Sequence, residues 1–224
     1  CCAASAVYIF NDIQDIETDR RHPTKSLRPL AAGFDRTDAE IVMLLMGVLA
    51  LVFAEFTSAS ATTIIFAYLA LNVSYSLRLK HIPILDAFII AFGFMLRILI
   101  GTYAIGIAAS HWLLLTGGML TLFLAFCKRR AEARYECRQF IGITAACTII
   151  TYAIYTTAPE TVAYHHTHAL LYTTPFVIYG VLRFLMLTGD DASKHITTDP
   201  HLIGACVLWL CSVLAINAAT AMSV

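Results

Sequence analysis

Long apolar runs recur along this chain, and they constrain its fold more than any other feature. The 224 residues are 59% hydrophobic and 13% charged, whereas a soluble domain is nearer to about 25% charged. Continuous apolar runs of about 17 to 25 residues are typical of membrane-spanning helices. They do not alternate with a period of two, as the strands of a membrane barrel would. The sequence therefore predicts an all-α, polytopic membrane helical bundle.

The apolar runs predict eight spans, of which the first is incomplete and ends near residue 10. The other predicted spans are residues 39–56, 61–77, 84–107, 111–127, 140–158, 169–187 and 201–224. No linker or soluble domain separates them, so we expect one domain over residues 1–224. The opening apolar run has no basic region before it, unlike a secretory signal. We therefore expect a domain that is truncated at its N-terminus.

Basic residues in the predicted loops all fall on one side of the membrane. The first, third, fifth and seventh loops contain Lys and Arg, whereas the second, fourth and sixth contain neither. The positive-inside rule places the basic loops in the cytoplasm. One missed span would reverse this alternation, so the pattern supports the count of eight. The chain is predicted to be a multi-pass integral membrane protein with its charged face in the cytoplasm.

Three carboxylates follow the first apolar run at helical spacing. Asp12, Asp15 and Asp19 are separated by three and four positions, and Asn11 lies one turn before Asp15. Residues at these spacings share one face of a helix. Mg²⁺ is often held by carboxylates together with substrate phosphates. We interpret the three residues as a catalytic, metal-binding cluster, with a solvated acidic helix end as the alternative.

Basic residues come directly after the carboxylates. Lys25 and Arg28 lie between Pro23 and Pro29. Lysine offers phosphate a point charge and arginine offers it a planar fork. The two residues are therefore candidates for phosphate binding. The alternative is that they serve only as a topology signal.

The stretch YIFNDIQDIETDRRHPTKSLRPLAAG resembles the first motif, N-D-x-x-D-x-x-x-D, of the UbiA superfamily of membrane prenyltransferases. The matching positions are Asn11, Asp12, Asp15 and Asp19. Members of this superfamily are bundles of nine spanning helices around a cavity open to the cytoplasm and to lipid. The resemblance implies that this chain begins in the second helix of the bundle. It also implies Mg²⁺ as the cofactor.

A second charged loop, FCKRRAEARYE, is similar to the polyprenyl-phosphate (decaprenyl-phosphate) phosphoribosyltransferase branch of the superfamily, although Cys127 stands where glycine is usual. Other members carry a second Asp-rich motif there. The resemblance implies an enzyme of the bacterial plasma membrane, serving cell-wall synthesis. It would move 5-phosphoribose from phosphoribosyl diphosphate to a polyprenyl phosphate and release diphosphate. Its implied phosphate-binding residues are Lys128, Arg129 and Arg130, with Glu132 as a further substrate-binding candidate. The alternative is a topology signal on a solvated amphipathic helix, with Glu132 as the ion-pair partner of Lys128.

Charged residues inside predicted spans are the remaining candidates. Arg97 is costly in a membrane unless it faces a cavity or a partner, so we predict phosphate binding, with a structural ion pair as the alternative. Asp86, three turns earlier, could bind ribose hydroxyls or metal, or simply stabilise a helix N-terminus. Tyr75 and Lys80 are minor substrate-binding candidates. Arg183 is predicted to reach the membrane surface, and Asp199 to cap the last helix.

The expected partners are a lipid-linked polyprenyl phosphate, a phosphorylated sugar diphosphate and the bilayer. Nucleic acid is not expected, and a homo-oligomer is left open. One alternative function is prenyl transfer from an isoprenyl diphosphate to an aromatic or other small acceptor, against which the basic KRRAE stretch argues. The other is an ion or phosphate-compound transporter, although the sequence shows no inverted repeat or pair of broken helices.

Overall fold

A computed structural model describes residues 1–106, 109–132, 135–187 and 197–222, and this part of the chain is helical without any strand. Its α-helices are α1 (Cys2–Arg20), α2 (Arg36–Thr57), α3 (Ala59–Leu77), α4 (Leu85–Ala104), α5 (His111–Ala131), α6 (Arg138–Thr157), α7 (Pro159–His165), α8 (Thr174–Leu187) and α9 (Pro200–Ala221). Short 3₁₀ turns cover Lys25–Leu27, Leu79–His81 and Ala169–Thr173.

Seven helical segments among the described residues are long and apolar enough to cross a membrane. They are α2 to α6, α9 and the segment Ala169–Leu187, which includes α8. The predicted all-α polytopic class is confirmed. The remaining predicted span is the incomplete first one, which corresponds to α1. It is not among the seven because the second half of α1 carries the carboxylates. As the helical spacing of the carboxylates predicts, the helix α1 continues through them to Arg20.

The chain divides into two compact units, Cys1–Ala108 and Ala109–Val224. The expectation of one domain over residues 1–224 stays a prediction. In the first unit, α1 packs on α2 and α3, and α3 packs on α4. Small residues at the helix contacts, such as Ala3 and Ala50, allow this close packing.

A second apolar cluster in the first unit holds the loop after α1 in place. Leu30 from that loop is 7% exposed and packs with Ile13 of α1 and Ala39 of α2. The loop continues to Asp35, whose side chain caps α2 by accepting from the backbone N–H of Thr37 at 2.7 Å. The chain between α1 and α2 is thus fixed at Leu30 and at Asp35, on the C-terminal side of Lys25 and Arg28.

In the second unit, α5 packs along α6, and α8 packs against both α6 and α9. A buried hydroxyl network ties these helices together. Trp209 Nε1 donates to the Tyr152 hydroxyl at 2.6 Å, and the same hydroxyl lies 2.6 Å from Thr173 Oγ1. Thr173 is fully buried, so the network satisfies polar groups that would be costly to leave unpaired in an apolar core.

Candidate active site

Arg28 joins two carboxylates of α1. Its NH1 nitrogen donates to Asp12 Oδ1 at 2.7 Å and to Asp19 Oδ2 at 3.0 Å. Because one nitrogen reaches both side chains, Asp12 and Asp19 lie on one face of α1. We call this surface, with Asp15, the carboxylate face. Asp19 is 3% exposed, so its charge is held inside the unit rather than in bulk water.

Asp15 is held from α3 and the turn that follows it. Lys80 Nζ donates to Asp15 Oδ1 at 2.5 Å, and Asn11 Nδ2 donates to Asp15 Oδ2 at 3.1 Å. The Ser76 hydroxyl in turn donates to Asn11 Oδ1 at 3.2 Å. The structure therefore brings the predicted residues Asn11, Asp15 and Lys80 together. Ser76 was missed by the sequence analysis, because a serine within an apolar span carries no signal of its own.

The loop after α1 is ordered around His22. Its Nδ1 atom accepts from the backbone N–H groups of Thr24 and Lys25, each at 3.3 Å. The contacts lead into the turn that contains Lys25, which is half-buried. They place Lys25 and Arg28 after the carboxylate face in an ordered segment.

The predicted residues of α4 lie in different environments. Asp86 is 1% exposed in the first turn. It follows a tight turn in which Ile84 has a φ of 71° and Leu85 N–H donates to Pro83 O at 2.8 Å. Arg97 is exposed, and its guanidinium carbon lies 5.5 Å from the centre of the Phe94 ring.

The alternatives for Arg97 and Tyr75 can be judged from the same unit. Arg97 forms no ion pair within the part of the chain that the structure describes. The structural ion pair considered for it is therefore not found there, and its predicted phosphate contact stays a prediction. Tyr75 is half-buried beside Ser76 at the end of α3, and its binding role also stays a prediction.

The basic residues of the second unit lie at the C-terminal end of α5. Lys128 is exposed and Arg130 is half-buried. Arg129 is 3% exposed, and its NH1 atom lies 2.9 Å from Glu132 Oε2. Positive charge is favourable here because it lies at the negative end of the helix dipole. At this end of α5, Lys128 is thus an exposed base, and the buried Arg129 is paired with the Glu132 carboxylate.

Residues 1–194 match the UbiA prenyltransferase family. This chain belongs to the UbiA prenyltransferase family. The decaprenyl-phosphate phosphoribosyltransferase of Corynebacterium glutamicum is 39% identical over 135 residues, which are 59% of this chain and 41% of that protein. The enzyme of the same name from Mycolicibacterium smegmatis is 39% identical over 133 residues, 59% and 42% of the two chains. Nodulation protein NoeC of Azorhizobium caulinodans is 33% identical over 137 residues, 59% and 43%.

The predicted family is thus confirmed, and the first two relatives agree with the predicted branch. The matched stretch of this UbiA chain spans about two fifths of the length of these curated relatives.

Burial and neighbouring charges both act on Asp12 in the carboxylate face of this UbiA chain. The pKa of the Asp12 carboxyl is raised above its usual value, chiefly by burial. Arg28 acts in the opposite direction, while the charges of Asp19 and Asp15 raise the pKa further. A cation at this face would relieve that mutual repulsion, so the face is suited to attract one.

The chemistry of the carboxylate face fits Mg²⁺, although its geometry is not a complete metal cage. Among the described residues, no group of three or more His, Cys, Asp or Glu side chains is arranged to hold a metal. Arg28 and Lys80 provide the cations beside the carboxylates instead. Mg²⁺ commonly takes only one or two carboxylates, with water and phosphate oxygens completing its shell. The carboxylate oxygens of α1 are therefore of the kind that Mg²⁺ binds.

Arg183 and Asp199 pair with each other in this UbiA chain. Arg183 Nε donates to Asp199 Oδ1 at 3.2 Å, and NH2 donates to Oδ2 at 2.7 Å. Asp199 Oδ1 also accepts from the backbone N–H of Leu202 at 2.8 Å. The predicted cap of the last helix is confirmed. A bidentate ion pair holds Arg183 to this capping carboxylate, and the reach of its side chain to the membrane surface stays a prediction.

The Arg183–Asp199 pair predicts a pH dependence of stability. Hydrogen bonds from Arg183 lower the pKa of the Asp199 carboxyl from 3.8 to about 2. A lowered folded-state pKa contributes stability above pH 4 or so, and that stability is lost as the pH falls toward about 2. We expect the melting temperature of the wild type to fall more steeply over this window than that of Asp199→Asn, whose side chain still caps the helix. Thermal unfolding in detergent measures both, and identical slopes would contradict the expectation.

Proposed function

We propose that this chain forms the catalytic part of an integral-membrane transferase that moves 5-phosphoribose from phosphoribosyl diphosphate to a polyprenyl phosphate and releases diphosphate. One observation carries the proposal: the carboxylates of α1 lie in direct contact with Arg28 and Lys80. Carboxylates attract a divalent cation and the bases attract phosphate, so one surface is suited to a metal–diphosphate unit. The similarity to two phosphoribosyltransferases supports the choice of donor.

One or two of the carboxylates Asp12, Asp15 and Asp19 would hold Mg²⁺ at this surface, with phosphate oxygens and water completing its shell. When bound, the ion neutralises charge on the leaving diphosphate. Arg28 and Lys80 exchange their carboxylate partners for phosphate oxygens as the donor binds. Lys25 lies close enough to lower the pKa of Asp12 by its charge, so it adds a third base beside the same face.

The remaining bases are candidates for further phosphate contacts. Lys128 and Arg130 stay predicted phosphate-binding residues, and Arg129 is paired with Glu132 in the second unit. Arg97 lies within a span, where it meets the phosphate of a lipid-linked acceptor. This acceptor is already anionic, so the chain needs no strong general base. The basic loops favour the cytoplasmic side for this chemistry. Asp86 is a candidate for binding the ribose hydroxyls.

The chemistry at the sugar requires stabilisation of positive charge. As the bond from the anomeric carbon to the diphosphate breaks, the sugar gains oxocarbenium character. A carboxylate nearby stabilises that charge, because a preorganised negative group in a water-poor site acts strongly. A carboxylate of α1 is suited to this role as well as to metal binding.

The test uses membranes that contain this chain, labelled phosphoribosyl diphosphate, Mg²⁺ and polyprenyl phosphate. We expect label to enter the lipid fraction, and chelation of the metal to stop it. Transfer of an isoprenyl group to an aromatic acceptor in place of this reaction would overturn the proposal. Accumulation of chemically unchanged tracer inside sealed vesicles would overturn it in favour of a transporter.

A further inference from the structure

We infer that Ser76 is a positioning residue for the carboxylate face: its hydroxyl holds the Asn11 side chain in place and thereby supports Asp15. This inference rests on the proposed function, in which Asp15 belongs to the metal and diphosphate site. Ser76 touches neither substrate in this account. It acts through Asn11.

The hydrogen bonds select one orientation of the Asn11 amide. The Ser76 hydroxyl, 3.2 Å from Oδ1, donates to it, and Nδ2 then faces Asp15 Oδ2 at 3.1 Å. With the amide turned over, its oxygen would face the carboxylate of Asp15, and two acceptors would oppose each other. The network therefore requires a donor at position 76.

The behaviour of other buried hydroxyls shows that this contact is specific. Thr148 and Thr151 donate back to the carbonyl group four residues earlier in their own helix, at 2.7 and 2.8 Å. This is the ordinary way for a hydroxyl to be satisfied within a helix. Ser76 is just as buried, at 3% exposed, but its hydroxyl donates to another helix, 65 residues away in sequence. Ser76 therefore makes a contact between two helices rather than one within its own helix.

Two elements hold alternate carboxylates of the face. The loop after α1 holds Asp12 and Asp19 through Arg28, whereas the end of α3 holds Asp15 through Lys80 and through the Ser76–Asn11 contact. When a donor phosphate draws Lys80 away, the Ser76–Asn11 contact still holds the other oxygen of Asp15. Ser76 thus keeps Asp15 in place during binding.

A double-mutant cycle on the intact chain tests the inference. Ser76→Ala is expected to lower phosphoribosyl transfer about tenfold, as expected for one lost hydrogen bond to a reacting site. In an Asn11→Ala background, the same change is expected to have no further effect, because its only route of action has been removed. Ser76→Thr, which keeps the donor, should restore most of the activity. An equal loss in both backgrounds, or no loss in the wild type, would overturn the inference.

Binding of Mn²⁺, followed by electron paramagnetic resonance in the presence of phosphoribosyl diphosphate, gives a second readout. Ser76→Ala should weaken it about tenfold, again only when Asn11 is present. Thr148→Val removes a buried hydroxyl that donates only within its own helix, and it should leave Mn²⁺ affinity unchanged. If the wild type transfers phosphoribose but the losses caused by Ser76→Ala and Asn11→Ala multiply in the double mutant, only the inference about Ser76 fails. If the wild type transfers none, the proposed function fails, and the Mn²⁺ cycle decides on Ser76.

Discussion

Asp12→Asn is expected to reduce phosphoribosyl transfer by more than about a hundredfold, because it removes both a metal ligand and a negative charge from the reacting surface. The substitution keeps the size of the side chain and still allows it to accept from Arg28. A loss of activity would therefore report on charge rather than on packing. Transfer of label into lipid, normalised to the amount of protein in the membrane, measures it.

Glu17→Gln is the matched control on the same helix. The Glu17 side chain is 76% exposed and pairs with Arg20 at 3.0 Å, away from the carboxylate face. An exposed pair of this kind contributes little to stability. We expect wild-type activity from this variant. Equal losses in Asp12→Asn and Glu17→Gln would show that α1 needs acidic residues only in general, which contradicts a specific site.

Arg28→Gln is expected to have two effects, because this residue holds the carboxylates in the structure and phosphate in the proposed reaction. The KM for phosphoribosyl diphosphate should rise about 10- to 100-fold, the value of a charge-assisted hydrogen bond to phosphate. Stability should fall, since the Asp19 side chain is 5% exposed and loses a cation 3.0 Å away. Arg28 is itself 39% exposed, so solvent limits this second effect to about 1–2 kcal/mol.

Two further variants separate the effects of Arg28→Gln. Both hydrogen bonds of Arg28 come from one nitrogen, so the single ammonium of Arg28→Lys should restore part of the stability and part of the affinity. Arg36→Gln breaks an exposed pair with Glu40 and should change neither quantity. The measurements are steady-state kinetics and thermal unfolding with and without donor. An unchanged KM in Arg28→Gln would reduce Arg28 to a structural role.

Hydropathy and spacing predicted the class of fold and the grouping on α1, because both follow from local sequence. Apolar runs are long enough to define most spans, and residues three and four apart on a helix must share a face. The helix α1 continues through the carboxylates to Arg20, as their helical spacing predicted, since charge ends an apolar span without ending a helix. Lys25 and Arg28 were found because they follow the carboxylates directly in sequence.

The contacts between distant parts of the chain could not be predicted in this way. Ser76 and Asn11 are 65 positions apart, and only the packing of α3 on α1 brings them together. Arg183 and Asp199 belong to different helices, so hydropathy could describe each alone but not their ion pair. The sequence identifies charged residues inside spans. Their partners depend on tertiary structure.

Mn²⁺ binding to the purified protein, measured by electron paramagnetic resonance with phosphoribosyl diphosphate present, tests the central claim most directly. If the carboxylates of α1 hold a divalent ion on the donor diphosphate, the wild type and Glu17→Gln will bind Mn²⁺ with equal affinity, and Asp12→Asn will bind it at least about tenfold more weakly. Equal Mn²⁺ affinity in all three proteins would contradict the claim.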